Sequence, residues 1–330
     1  MKILITGGAG FIGSHVIEGI IEEIKIKKII ILDNLKDGSK KNLKNILTNK
    51  KIKLIKKDIN NLQSIESSFK GIDFVIHLAA LSDVVPSIEN PKEYLNTNIM
   101  GTVNVLEAMR KNKVKNIIYS ASSSCYGNKP KVPTNESAKI NPKYPYAFSK
   151  YIGEMTIKHY ADVYDLNYAS LRLFNVYGTR SRTNGAYGAA IGVFLKQKLS
   201  NHPYTIIGDG KQKRDFIYVT DVVKVVKILL KKKLKNVTYN IGIGNPRSVN
   251  ELVKILGGKK IFIPKRPGEP FSTHADIKRV TRELDWKPKI LLNEGLKKVL
   301  KEINYWKKSP LWTAKKINNA TISWFKLMKD

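Results

Sequence analysis

The sequence predicts an α/β protein: a doubly wound parallel sheet with a second, smaller α/β domain. Short apolar runs rich in β-branched residues alternate with longer segments whose apolar residues recur at helical spacing. A chain of 330 residues, 42% of them apolar, also has room for roughly two domains of about 150 residues each. That apolar fraction excludes a disordered or collagen-like chain, and the single cysteine excludes a disulfide scaffold.

The first unit of the sheet is a strand, a glycine-rich turn, a helix and a second strand. Residues 2–6, KILIT, have the pattern of a buried strand, and GGAGFIG follows. Apolar residues at positions 16, 17, 20, 21 and 24 share one face of the next helix. Residues 27–32 form the second strand and end at Asp33, which completes a βαβ unit.

The glycines of the turn, Gly7, Gly10 and Gly13, have the spacing of a dinucleotide site. They allow a tight turn, the approach of a pyrophosphate to the backbone, and close contact between helix and strand. The helix then presents free N–H groups to the phosphates. Asp33, 20 residues after Gly13, is placed to accept ribose hydroxyls and to repel a 2′-phosphate, which predicts NAD. The alternative is a glycine-rich turn that binds no ligand. We favour the dinucleotide site because the strand, the helix and Asp33 all accompany the glycines.

The alternation of strands and helices continues through the first half of the chain. Residues 53–58 predict a strand that ends at Asp58, near the adenine, and residues 73–80 a strand that runs into small side chains. A helix over 98–113 precedes a strand over 116–120. Because repeated βα units build a parallel sheet, we expect the ligand at the carboxyl ends of the strands.

A helix predicted over residues 142–164 carries Tyr146 and Lys150, four residues apart and therefore on one face. A tyrosine that acts as a base near pH 7 needs its pKa lowered by about 3 units from 10, roughly 4 kcal/mol, and a neighbouring ammonium favours that shift. Such a pair is usually a surface feature. Here it follows a dinucleotide motif and a serine cluster, residues 121–127, at a strand end.

Over about residues 1–300 the chain resembles the extended short-chain dehydrogenases/reductases of the nucleotide-sugar epimerase/dehydratase family. Within the family it is most similar to the UDP-glucose (UDP-hexose) 4-epimerases. The motifs that carry the resemblance are GGAGFIG, HLAA, Asn98 with the following MGT, YAFSK, LRLFNVYG (171–178), GDGKQKRDFIYVTDVV (208–223), RPGE (266–269) and AD (275–276).

The resemblance implies two domains and a chemistry. A Rossmann-like NAD-binding domain would comprise residues 1–175 and about 215–242, and a nucleotide-sugar-binding domain about 176–214 and 243–330. Tyr146 would take the proton from the hexose 4-hydroxyl while a hydride passes from carbon 4 to NAD, giving a transient 4-keto sugar. Lys150 would bind the nicotinamide ribose, and Ser122 would hydrogen-bond the sugar hydroxyl.

The remaining site residues are carried over by the same resemblance. The cofactor contacts are Gly7, Gly10, Phe11, Ile12, Gly13, Asp33, Asn34, Asp58, Ile59, Leu78, Ala79, Ala80, Asn98, Ser120, Tyr146 and Lys150. The substrate contacts are Ser82, Ser122, Ser123, Tyr146, Asn175, Arg214, Arg266, Glu269 and Thr273. Residues 181–194, SRTNGAYGAAIGVF, depart somewhat from the commonest galactose-type epimerase pattern, and Arg180, Arg182 and Tyr187 in this region are further candidates for the sugar pocket.

Several reactions share this scaffold, and two serines distinguish among them. The family's 4,6-dehydratases carry an Asp–Glu pair, and its decarboxylases usually a Glu, where this chain has Ser123 and Ser124. Without those proton carriers elimination is disfavoured. A UDP-glucuronate 4-epimerase and a 4-keto reductase stay open, as does a non-catalytic dinucleotide sensor, although Ser122, Tyr146 and Lys150 argue against the last. In some members of the family a pocket residue two before the AD pair sets the tolerance for an N-acetyl group. By that resemblance, the small Thr273 at this position leads us to expect a pocket that also admits N-acetylhexosamines.

The formal net charge of +32, from 59 basic and 27 acidic residues, suggests a nucleic-acid partner. Only nine of the basic residues are arginines, however, and the lysines are spread along the chain. Without an aromatic-interleaved basic motif, we interpret the charge as surface composition and expect no nucleic-acid partner. We expect a homodimer formed through the helices at 98–113 and 146–164, as the family often shows.

Other features predict no additional site. The chain has no apolar run of 18 residues and no signal peptide, so we expect a cytoplasmic protein without a membrane span. The histidines lack ligand spacing, so no metal is expected, and Cys125 is interpreted as a small buried residue. The tail predicts a final helix capped by Thr313, docked through Trp306, Trp312, Trp324 and Phe325.

Overall fold

The computed structural model describes residues 1–182 and 190–328. In this part of the chain, seven parallel strands form one sheet in the order β11-β6-β5-β4-β1-β2-β3. The sheet strands are β1 (Lys2–Thr6), β2 (Lys28–Asp33), β3 (Ile52–Lys56), β4 (Phe74–His77), β5 (Asn116–Ser122), β6 (Asn167–Leu173) and β11 (Val237–Ile241). This is the doubly wound parallel sheet predicted from the sequence, and its strand order reverses between β1 and β4, where such sheets bind ligands.

Helices cover both faces of the sheet, and three small strand pairs complete the second half of the chain. The helices are α1 (Phe11–Ile20), α2 (Leu62–Ile65), α3 (Val84–Glu89), α4 (Pro91–Leu95), α5 (Gly101–Lys111), α6 (Pro145–Tyr164), α7 (Ala190–Leu199), α8 (Val219–Leu229), α9 (Val249–Leu256), α10 (Lys278–Leu284), α11 (Leu292–Lys301), α12 (Ala314–Ala320) and α13 (Ile322–Leu327). The strand pairs are β7 (Asn175–Tyr177) with β10 (Phe216–Tyr218), β8 (Tyr204–Ile207) with β13 (Lys260–Ile263), and β9 (Lys213–Arg214) with β12 (Arg247–Ser248).

Buried apolar residues form separate cores on the two faces of the sheet. One core packs α1 and α8 against the sheet, and the other packs α5 and α6 against its opposite face. β1 illustrates the cause, since four of its five residues are buried, as expected for a parallel strand covered on both sides. A third core is built from residues of the second half of the chain, from Tyr177 to Trp306.

Several element boundaries differ from the sequence-based expectation. The strand predicted to reach Asp58 ends at Lys56. The segment from about residue 215, assigned above to the NAD-binding domain, begins with the short β10, which pairs with β7 outside the main sheet. The predicted helix over 98–113 is a π-helical segment, Asn96–Met100, followed by α5. The final helix is broken at Thr321 into α12 and α13, and Phe325 is half exposed rather than docked.

Candidate functional site

A cavity of about 600 Å³ lies at the carboxyl ends of the central strands. Its wall combines the glycine-rich turn, the ends of β2, β4 and β5, the start of α6, and residues of the second half of the chain. All of the cofactor and substrate contacts predicted from the sequence line it except Asn98 and Arg266. The topology therefore brings together side chains that lie as far apart in sequence as Gly7 and Thr273.

The glycine-rich turn at the start of α1 has no room for side chains. A Cβ on Gly7, whose φ is +68°, would lie 2.7 Å from the Ala79 nitrogen. One on Gly13 would lie 2.5 Å from the Gly7 carbonyl oxygen. Gly10 precedes the first residue of α1, so the unpaired N–H groups of the helix face the cavity without a side chain between.

The buried Asp33 closes the cavity beside this turn. Its carboxylate accepts hydrogen bonds from the backbone N–H groups of Ala9 at 2.9 Å and Leu35 at 2.8 Å. Burial raises the pKa of Asp33, and these two hydrogen bonds oppose the rise. At the same end of the cavity, Asn34 Nδ2 donates to Asp58 at 2.9 Å.

Ser122, Tyr146 and Lys150 meet where β5 ends against α6. Tyr146 and Ser122 both line the cavity, and Ser122 Oγ lies 2.8 Å from Ser124 Oγ. Burial raises the pKa of Tyr146, and the nearby Ser122 hydroxyl opposes the rise. Lys150 Nζ lies 4.3 Å above the centre of the Tyr119 ring, and burial lowers its pKa to about 7.

The substrate half of the cavity presents an ion pair and two linked polar side chains. Arg214 donates to Glu269 at 2.7 Å, and both side chains are largely buried. Thr273 Oγ1 donates to Asn175 at 2.9 Å and accepts from the Asp215 backbone N–H at 3.1 Å. These residues form a polar wall that reaches the cavity from three different segments of the chain.

The comparisons with known proteins agree with this geometry. Residues 3–242 match the sequence model of the NAD dependent epimerase/dehydratase family. The chain belongs to that family. A protein of Methanocaldococcus jannaschii, named as a candidate UDP-glucose 4-epimerase, is 42% identical over 306 residues, which cover 90% of this chain and 97% of its own.

Two solved structures extend the likeness to three dimensions. The UDP-glucose 4-epimerase of Thermotoga maritima, solved with UDP-glucose, has a TM-score of 0.85 and 35% identity; the match covers 93% of this chain and 99% of that one. The UDP-N-acetylglucosamine 4-epimerase of Methanobrevibacter ruminantium, solved with UDP-N-acetylmuramic acid, has a TM-score of 0.84 and 33% identity, covering 91% and 98%. The predicted family and its cofactor, NAD, are confirmed.

The cavity wall fits the NAD that this epimerase/dehydratase family uses. The turn from Gly7 to Gly13 packs too closely for side chains and presents its backbone to the cavity, and α1 begins there with free N–H groups. The Asp33 carboxylate stands at the far end, where a ribose would offer hydroxyls. The residues present therefore suit a dinucleotide without a 2′-phosphate.

Asn98 and Arg266 occupy other places than the resemblance implies. Asn98, 1% exposed, accepts from Leu81 N–H at 2.8 Å and donates to the Leu81 carbonyl at 3.0 Å and to Ser149 Oγ at 2.9 Å. It thus braces the loop after β4 instead of facing the cavity. Arg266 is 5% exposed and also does not line the cavity.

The arginines of the segment after β7 are used in a way that sequence reasoning missed. Arg180 pairs with Glu18 of α1 at 2.7 Å and does not line the cavity. Arg182 does line it, and it bridges Asp37, in the loop after β2, and Asp83, in the loop after β4, the latter at 3.0 Å. Both aspartates lie in loops that follow sheet strands, and that position in the sequence could have indicated that they reach the cavity. Tyr187 lies outside the described residues.

Cys125 and the Arg172–Glu154 pair are buried and contribute to packing around the site. Cys125 is buried beside Tyr126 and Phe174, and burial raises the pKa of its thiol to about 12. A buried network behind Lys150 joins Arg172 to Glu154 at 2.6 Å.

Within residues 1–182 and 190–328, no group of three or more His, Cys, Asp or Glu side chains could hold a metal ion, and no helix there could span a membrane.

Proposed function

We propose that this protein interconverts the carbon-4 epimers of a UDP-hexose through a transient 4-keto sugar, with NAD as its resident cofactor. The observation that carries the proposal is the meeting of Ser122, Tyr146 and Lys150 in one cavity with the Arg214–Glu269 pair. The first three suit proton transfer at a sugar hydroxyl, and the pair suits a diphosphate and a ribose. The two solved relatives, which act on UDP-sugars, support this assignment.

In this mechanism the chain's own residues move protons and hold the sugar. Tyr146 takes the proton of the 4-hydroxyl, and Ser122, which lines the same cavity, holds the sugar hydroxyl. The Lys150 ammonium, four residues further along α6, stabilises the tyrosinate. Bound NAD supplies the hydride acceptor and donor.

The substrate diphosphate is assigned to Arg214. The guanidinium now donates to Glu269 at 2.7 Å, so an incoming diphosphate competes for a donor that is already oriented and largely buried. Release of Glu269 leaves its carboxylate free to accept the ribose hydroxyls on the uridine side. Asn175 and Thr273 line the wall beside them.

A 4,6-dehydratase is another reaction that this scaffold supports, and the carboxylates of the cavity argue against it. Serines stand at 123 and 124, where the elimination would need acid and base. The carboxylates that line the cavity in the described residues have other partners: Asp37 and Asp83 hold Arg182, Glu93 holds Lys36, Glu269 holds Arg214, Asp58 holds Asn34, and Asp33 holds two backbone N–H groups. Epimerisation needs none of them as an acid or a base.

The Tyr146→Phe variant tests the reaction. Purified enzyme should convert UDP-glucose to its 4-epimer, detected by NMR, and Tyr146→Phe should lower turnover by about 10²–10⁴-fold, because the base is lost. The variant should keep its NAD. Tyr160→Phe is the matched control, since Tyr160 lies on the same helix but bonds Glu107 outside the cavity. Full activity in Tyr146→Phe would contradict the mechanism.

The same assay defines the sugar. UDP-glucose and UDP-N-acetylglucosamine are given side by side, because Thr273 leaves a small side chain at the wall. Turnover of both supports the wider pocket that we propose, and turnover of UDP-glucose alone contradicts it. UDP-glucuronate in a third arm distinguishes the uronic-acid epimerase.

We also propose a homodimer and a cytoplasmic location. The dimer is supported by apolar side chains that α6 and the adjoining π-helical segment leave exposed: Met100, Phe148, Met155 and Val163. The location is supported by the single, buried, unpaired cysteine, which suits a reducing compartment. Cell fractionation tests the location.

A further inference from the structure

The carboxyl-terminal segment, residues 303–328, lies beyond the region that matches the family model, which ends at residue 242. It consists of a 3₁₀ turn (Ile303–Lys308), α12 and α13. Two of its tryptophans, Trp306 and Trp324, are 0% and 1% exposed. Since a buried indole also needs a partner for its N–H, each marks an anchor point on the body of the protein.

The first anchor joins this segment to the chain on the cofactor side of the cavity. Trp306 Nε1 donates to the Ser181 carbonyl at 3.0 Å, and Ser181 lines the cavity next to Arg182. The hydroxyl of Tyr305 donates to Asn42 Oδ1 at 3.1 Å. The segment therefore starts from a fixed position at one edge of the site.

The second anchor lies at the substrate end. Trp324 Nε1 donates to the Pro267 carbonyl at 2.7 Å, two residues before Glu269. The Trp324 ring centre lies 6.0 Å from that of Tyr144, and the Tyr144 ring is nearly parallel to that of Tyr146, with centres 6.4 Å apart. One indole thus contacts both the stretch that carries Glu269 and the residue that packs on the proposed base.

The stretch that Trp324 holds has little regular structure of its own. Between the end of β13 and Phe271 it contains three prolines and Gly268, whose φ is +68°. Its downstream end is fixed because the Phe271 carbonyl accepts from the Lys213 N–H at 2.8 Å. The hydrogen bond from Trp324 holds the upstream part, and α13 is itself held on α3 by a bond from Ser323 to Glu89 at 3.0 Å.

We propose that Trp324 is a positioning residue for the nucleotide end of the substrate. Its indole N–H fixes the Pro267 carbonyl and thereby holds Glu269 opposite Arg214, where the ribose and diphosphate would bind. Trp324 does not line the cavity, so it acts through the residues that it contacts. The inference rests on the proposed nucleotide-sugar activity and adds a role for a segment outside the family model.

Trp324→Phe is the test, because it keeps a ring against Tyr144 and removes the hydrogen bond to Pro267. We expect KM for UDP-glucose and the Kd for UDP, measured by calorimetry, to rise about three- to tenfold, the range that one lost hydrogen bond gives. Turnover number and bound NAD should change less than about twofold. Phe325→Ala is the matched control, since its half-exposed side chain lies on the same helix, and it should leave all four quantities unchanged.

A purely structural role would lower Tm without moving KM or the UDP Kd, and that result would overturn the proposal, as would a loss confined to kcat. If Trp324→Phe does not fold, Ser323→Ala takes its place: a smaller rise of KM and Kd supports the proposal, and no rise overturns it. Wild-type protein that binds UDP but epimerises no UDP-hexose contradicts the proposed function and leaves the Trp324 test intact. Wild-type protein that binds no UDP contradicts both.

Discussion

Lys150 shows how one buried ammonium is controlled by its surroundings. Burial lowers its pKa to about 7, while the Glu154 carboxylate, one turn further along α6, opposes that shift. Glu154 is itself held by Arg172 at 2.6 Å and by Ser170 at 3.1 Å, so its charge is shared among several partners. The ring of Tyr119 provides a cation–π contact. The site therefore keeps Lys150 close to the point at which it changes charge near neutral pH.

This low pKa predicts a pH-dependent stability of the cofactor-free protein. Between pH 7 and about 10 the unfolded chain holds a proton on this lysine that the folded protein does not, so the free energy of unfolding rises with pH. Urea unfolding at pH 7 and pH 9 should show a rise of about 1–3 kcal/mol from this residue. Lys150→Met should remove that increment, and a variant with the same increase as wild type would contradict it.

At the scale of the element, the glycine-rich turn and α1 act as one unit. A Cβ on Gly13 would lie 2.5 Å from the Gly7 carbonyl oxygen, which is too close for two unbonded atoms. The close packing of the turn against the helix therefore depends on the absence of a side chain at Gly13. The same closeness brings the start of α1 to the cavity beside Asp33. The element that binds phosphate is therefore also a packing contact.

Gly13→Ala should accordingly abolish NAD binding or prevent folding, because the new Cβ would lie 2.5 Å from the Gly7 carbonyl oxygen. Gly257→Ala is the matched control: its φ is +63°, but a Cβ there meets nothing within 4 Å. It should cost about 1 kcal/mol of stability and leave NAD affinity unchanged. Protein absorbance and fluorescence titration with NAD measure both effects. Normal NAD affinity in Gly13→Ala would refute the argument.

The elements differ in how far their sequence alone defines them. The strands and α1 follow from apolar periodicity within ten residues, and the position of Tyr146 relative to Lys150 follows from helical spacing. The partners of Arg180 and Arg182 do not follow from local sequence, because Arg180 contacts Glu18 across 162 positions and Arg182 contacts Asp83 across 99. The partners of Asn98 do not follow from it either. The π-helical segment that holds Asn98 also lies outside regular periodicity.

For the whole molecule, the net charge of +32 can be set against the ion pairs that the arginines form. Four arginines, in β6, after β7 and in β9, are paired with carboxylates: Arg172 with Glu154, Arg180 with Glu18, Arg182 with Asp83, and Arg214 with Glu269. These four of the 27 acidic residues thus pair with arginines, whereas others pair with basic side chains at the surface. The net charge arises mainly from lysine, and the cavity arginines Arg182 and Arg214 are each paired with carboxylates.

The exposed apolar side chains of α6 lead to a prediction for the assembly. Phe148, Met155 and Val163 recur at intervals of seven and eight residues, so they share one face of α6. Light scattering should show a dimer for the wild type and a monomer for Met155→Glu/Val163→Glu, because two buried carboxylates per protomer would be desolvated without partners. Ile24→Glu is the control, since Ile24 is an isolated, fully exposed residue, and it should remain dimeric. A monomeric wild type would contradict the proposed dimer, whereas a dimeric double variant would place the interface elsewhere on the surface.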